Sequence, residues 1–177
     1  HILEAPYGFI NQNSSKPNIS IYDHLGDPWE ITRSDLKRWC AGIYHCPAID
    51  CVVDICTDND LKPHEISEIT LELCNYLYNI GATPEEARRN LPHPMNGKIS
   101  FYWLAGCAAV HRRVFITEFE PDVFYSSEIR EISDKVKCIP NPEFDKDFPA
   151  KLTTACTIKT KDGRTLTKKV DYLKGSP

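Results

Sequence analysis

The segment "KISFYWLAGCAAVHR" constrains this chain more than any other. At helical spacing Phe101, Leu104, Ala105 and Ala108 share one face, while Trp103, Cys107 and Val110 populate another. A helix that is apolar on most sides has no face left for water, so other elements must surround it. At 177 residues the chain can build a core of that size, as one domain or one domain with a tail.

The elements that would form this core follow from their periods. Pro47 suits a first helical turn, and Ile49, Val52, Val53 and Cys56 follow at i, i+3, i+4 and i+7, which predicts an amphipathic helix over about 47–58. "ISEITLELCNY" sets Ile69, Leu71 and Leu73 against Thr70, Glu72 and Cys74, the period of a half-buried strand. "WEITRSDLK", with β-branched residues early, reads as an entering strand over 29–37.

"TPEEARRN" reads as a short helix with Thr83 as N-cap, Pro84 at the first helical position and two acids near the positive end of the dipole. In "SSEIREISDKV", Ile129, Ile132 and Val136 fall at helical spacing behind serine caps. Near the end the period changes: Leu152, Thr154, Cys156 and Ile158 alternate, "KDGR" supplies an Asp-Gly turn, and Leu166, Val170 and Tyr172 return, which predicts a β-hairpin over about 151–172.

The order is strand, helix, strand, helices, strand, hairpin. It implies an α+β fold: a mostly antiparallel sheet with helices packed on one face, ending in a β-hairpin. Residues 1–28, with the polar stretch "NQNSSKPN", read as a connector arriving from elsewhere, and 29–177 as the α+β domain. A chain that opens this way is expected to be a fragment or one subunit of a split protein.

Composition excludes some functions. A net charge of −4 and the lack of any Lys/Arg block argue against nucleic acid as a partner. No apolar run approaches the roughly 20 residues of a membrane span, and no secretory signal is seen, so a soluble cytoplasmic protein is expected. Eight cysteines contain no C-x-x-C pair, which argues against a zinc ribbon or redox motif and for reduced, mostly buried thiols.

The stretch with the densest chemistry is "DLKRWCAGIYHCPAIDC". Cys46, Cys51 and Cys56 are spaced by five, about 140° apart around a helix, so one element does not make them a metal site. Lys37 and Arg38, at the end of a predicted strand and facing the helix start near Pro47, either form a carboxylate pocket or are solvated cations at an exposed strand end.

His45 either exchanges protons near neutral pH or is bonded to a backbone group where the helix begins. Lys98 stands at the start of an apolar helix, where the dipole does not favour a cation, and is either functional or a surface lysine. His93, in "LPHPM", reads as part of a rigid surface turn, and His64 and His111 are assigned no chemistry.

The ordered set "ILEAPYGF", "WEI", "LKRW", "PAID", "KISFYW", "NPEFDKDFPA" and "KDGRTLTKKVDYLKGSP" resembles the MmgE/PrpD family, which includes 2-methylcitrate dehydratase, cis-aconitate decarboxylase and iminodisuccinate epimerase. The resemblance covers nearly the whole chain. It implies only the smaller C-terminal lid domain of a subunit whose larger domain is helical. That helical N-terminal domain is the expected partner, with a homodimer expected for the complete enzyme.

The resemblance further implies chemistry without metal or organic cofactor on small di- and tricarboxylates. Proton removal beside a carboxylate is followed by loss of water, loss of carbon dioxide or epimerisation. Cations are needed to hold such substrates and to stabilise the growing charge. Lys37 falls on the family's lysine at the start of the lid loop, and Lys98 on a position that is often basic.

With His45, these are the expected substrate-binding residues. Relatives often place a histidine directly before "PAID", where this chain has Cys46 with His45 one place earlier. Ala41 and Gly42 stand where relatives place Cys or His. The family's main acid and base lie in the helical domain, so no catalytic residue is expected here and the isolated chain should be inactive. A non-catalytic ligand- or partner-binding module is the other reading.

Overall fold

The computed structural model describes every residue except His1, Glu4, Ile19, Ile21, Tyr22 and His24. The parts of the connector reading that rest on those six lie outside the described residues. The chain divides into two units, His1–Asp35 with Pro177, and Leu36–Ser176.

The first unit contains a short helix α1 (Phe9–Asn13) and a 3-10 turn, Glu30–Arg33. The strand predicted over 29–37 is not formed. The Thr32 N–H and hydroxyl both donate to the Trp29 carbonyl, at 3.0 and 2.7 Å, and Ile31 is 73% exposed. Two β-branched residues without a neighbouring strand satisfy their backbone locally instead.

The second unit runs α2 (Cys46–Asp58), β1 (Ile66–Leu73), α3 (Asn75–Gly81), α4 (Glu85–Arg89), α5 (Pro94–Gly97), α6 (Phe101–His111), α7 (Pro121–Phe124), α8 (Ser127–Asp134), β2 (Val136–Pro140), β3 (Thr154–Thr160) and β4 (Thr165–Val170). The fold is α+β, with one four-stranded sheet ordered β2-β1-β3-β4.

β3 pairs antiparallel with both neighbours, placing Leu71 opposite Cys156 and Ile158 opposite Leu166. β1 and β2 are parallel, with Ile69 opposite Val136, so two of the three pairings are antiparallel, as expected, and one parallel pair makes the sheet mixed. The reason is topological: all the helices from α3 to α8 lie between β1 and β2, and such a crossover returns the chain in the same direction.

Along β1, Ile66, Ile69, Leu71 and Leu73 are buried while Ser67, Glu68, Thr70 and Glu72 are not. Burying each of the large aliphatic side chains stabilises the unit by roughly 1.5–3 kcal/mol. α2 packs on β3 and β4, and α6 packs on α2, α8 and β2. The polar side of β1 pairs charges instead: Glu68 meets Lys159 at 2.9 Å and also Lys137.

The apolar helix is where its composition requires it, with every residue from Phe101 to Ala109 buried. The Ser100 hydroxyl accepts the Trp103 N–H at 3.3 Å and fixes its start. Ser126 caps α8 as read from the sequence, but Val136 leaves the helix and opens β2, because pairing with Ile69 takes it into the sheet. α4 starts one residue later than expected: Pro84 is extended and serves as the cap, and the Thr83 hydroxyl donates to the Asn79 carbonyl at 3.0 Å.

Candidate functional site: the loop before α2

The segment from Lys37 to His45 is tied down by its backbone. The Cys40 N–H donates to the Val114 carbonyl at 2.9 Å, the Gly42 N–H to the Lys98 carbonyl at 2.9 Å, and the His45 N–H back to Gly42 at 2.9 Å. Trp39 is buried against Phe115, with ring centroids 5.5 Å apart. These bonds bring Lys98 beside a loop that is distant from it in sequence.

Lys37 is exposed and pairs with no carboxylate among the described residues. Its charge reaches the Cys46 thiol at the start of α2. Lys98 is half-buried, also without a carboxylate partner among the described residues, and its ammonium lies 5.4 Å from the Phe119 ring centre. It stands at the end of α5, three residues before α6, so the mismatch with a helix dipole read from the sequence does not arise.

Arg38 is engaged elsewhere. Its guanidinium covers the Trp39 ring at 4.4 Å and stands 3.9 Å from the carboxylate of Asp50, which is 1% exposed. Asp50 also accepts the Trp39 indole N–H at 2.9 Å and the Lys174 amide at 3.0 Å. Sequence reading placed Asp50 inside the "PAID" match without a role. Only the fold shows that it joins the start of this unit to its end.

His45 ends a 3-10 turn, Ile43–His45, that runs directly into α2. Its ring is 2% exposed and lies on Phe101 with centroids 4.3 Å apart. Two glycines make this possible: a Cβ at Gly81 would stand 2.5 Å from His45 Nε2, and one at Gly42 would stand 2.8 Å from Nδ1.

Neither ring nitrogen makes a hydrogen bond among the described residues. The Ile99 and Gly42 carbonyls are close enough to favour the protonated ring without reaching bonding geometry. Burial outweighs them and, with the Arg88 cation, lowers the pKa to about 4. The ring is therefore neutral near pH 7 and sealed from solute. Arg88, read from the sequence only as part of a helix, emerges as its charged neighbour.

The cysteines are free, six of them buried and Cys40 and Cys138 half-buried. Burial pushes the Cys46 thiol up to about 11 and Cys51 up to about 12, so neither is ready to act as a thiolate. No group of His, Cys, Asp and Glu among the described residues is arranged to hold a metal ion. His93 accepts the Met95 N–H at 3.1 Å on an exposed turn. No helix among the described residues is long and apolar enough to cross a membrane.

What the fold and this loop define is an α+β domain presenting two lysines, without carboxylate partners among the described residues, around an anchored loop at a helix start. The model of the MmgE/PrpD C-terminal domain matches residues 39–177, and the chain belongs to that family. Lys98 and His45 lie inside the match, and Lys37 lies two residues before it. A comparison with curated proteins finds no match.

Proposed function

We propose that this chain is the lid of a cofactor-independent lyase or isomerase acting on citrate-like polycarboxylates, by dehydration, decarboxylation or epimerisation after proton abstraction beside a carboxylate. The observation that carries the reading is that Lys37 and Lys98, without carboxylate partners among the described residues, border one loop of a MmgE/PrpD C-terminal domain. An ammonium without a carboxylate partner is available to a substrate carboxylate and to charge that develops during proton removal.

In this reading Lys37 and Lys98 hold carboxylates, and His45 serves the site from beneath as the buried anchor of the loop. The acid and base come from a helical domain that this edge closes upon. Leu36 at 74% exposure, Ile116 at 72%, and Ile99 and Phe115 at just over 40% give the same region apolar side chains for that contact. Such a face needs a cover.

The test is assembly. The chain is mixed with a separately expressed helical domain of the family and assayed on cis-aconitate and 2-methylcitrate. A stable complex with turnover of either, and no turnover by the chain alone, is the expected outcome. A complex that forms but turns over no polycarboxylate favours the non-catalytic binding module, and no complex at all removes the lid reading.

A further inference from the structure

A cleft of about 440 Å³ opens between α4, α6 and α8, on elements that carry none of Lys37, His45 or Lys98. Its size lies within the roughly 300–1,000 Å³ of small-molecule sites. Its lining includes the apolar side chains of Leu91, Trp103 and Phe124, with the Trp103 indole N–H donating to the Phe124 carbonyl at 3.1 Å.

Three guanidinium groups line the walls. Arg89 is committed to the fold: it meets Glu85 at 2.7 Å and the carbonyls of Ser133 and Val136 at 2.8 and 2.7 Å. The Arg88 Nε donates to the Thr83 carbonyl at 3.2 Å, its cation also neighbours the buried His45 ring, and its terminal nitrogens have no carboxylate partner among the described residues. Arg130 is exposed and likewise without one.

Two acids, Glu86 and Asp134, share the lining, also without ion-pair partners among the described residues. With Arg89 matched by Glu85, the two available guanidinium groups are balanced by these two carboxylates. The cleft is therefore not a sink for polyanions. A guanidinium fork pairs with one carboxylate in two parallel hydrogen bonds, whereas Glu86 and Asp134 in the same lining disfavour a second negative group on the ligand.

We infer that this cleft binds a small monocarboxylate with an apolar body, its carboxylate on Arg88 and Arg130 and its body against Leu91, Trp103 and Phe124. Such a ligand is distinct in charge from the polycarboxylate proposed for the Lys37 edge. The inference does not depend on that proposal.

The probe is benzoate, titrated into the full chain and followed by calorimetry and by the Trp103 indole N–H resonance, with citrate as the comparison. Saturable benzoate binding that shifts Trp103 is expected, weakened by roughly tenfold or more in Arg130→Gln, where no side-chain bond among the described residues is lost, and also in Arg88→Gln. Lys37→Ala should leave it unchanged, and Glu86→Gln with Asp134→Asn should admit citrate to the cleft. Absence of saturable binding, or binding indifferent to both arginine variants, overturns the inference. Benzoate binding lost with Lys37→Ala alone does so too, while leaving the lid reading in place.

Discussion

The Asp50 carboxylate accepts the Trp39 indole N–H at 2.9 Å. Through its other oxygen the same side chain accepts the Lys174 amide, so one buried acid in α2 fastens both the loop that carries Lys37 and the end of this unit. Replacing it with alanine strands two donors. Asp50→Ala is expected to lower the unfolding free energy by roughly 2–5 kcal/mol, and Asp50→Asn by less because one acceptor oxygen remains. Urea unfolding checks this: the midpoint should fall with little change in slope.

Protonation of His45 should be visible as pH-dependent stability. Its pKa is about 4 in the fold against an ordinary 6.5, so between these values the unfolded chain binds the extra proton. Stability therefore falls as pH drops from about 6.5 to about 4, by roughly 3 kcal/mol from this group. Comparing unfolding across that window in the native chain and in His45→Gln tests the sign. The variant should lose most of that slope, whatever its absolute stability.

Thiol accessibility checks the cysteine environment. Cys40 is half-buried, and Cys138, the other half-buried thiol, is pushed up to about 12 by burial. At about pH 8 a disulfide reagent should label Cys40 first and leave the six buried thiols untouched until the chain unfolds. Rapid native labelling of Cys46, Cys51 or Cys56 would contradict the packing of α2.

Much of this was legible in the residues because the cause is local. The spacing of Ile49, Val52, Val53 and Cys56 defines α2, the alternation of Ile69, Leu71 and Leu73 defines β1, and the Asp-Gly pair closes the final hairpin. What failed depends on distant partners. The parallel pairing of Ile69 with Val136 is decided by where the intervening helices return the chain.

The strand expected around Ile31 found no neighbour. The site was half legible for the same reason. Lys37 and Lys98 stand out as sequence oddities, but the Gly42–Lys98 hydrogen bond and the room that Gly81 leaves for His45 exist only once the unit is packed.

In the proposed function Lys37 holds a polycarboxylate for chemistry supplied by another domain. The measurement that reaches it most directly is kcat/KM of the assembled enzyme with Lys37 and with Lys37→Ala, alongside urea unfolding of both chains. Loss of one charge-assisted contact predicts a fall of roughly 10- to 100-fold. Unfolding should agree within roughly 0.5 kcal/mol, since Lys37 is exposed and without an internal carboxylate partner among the described residues. Unchanged kinetics in Lys37→Ala would contradict the account.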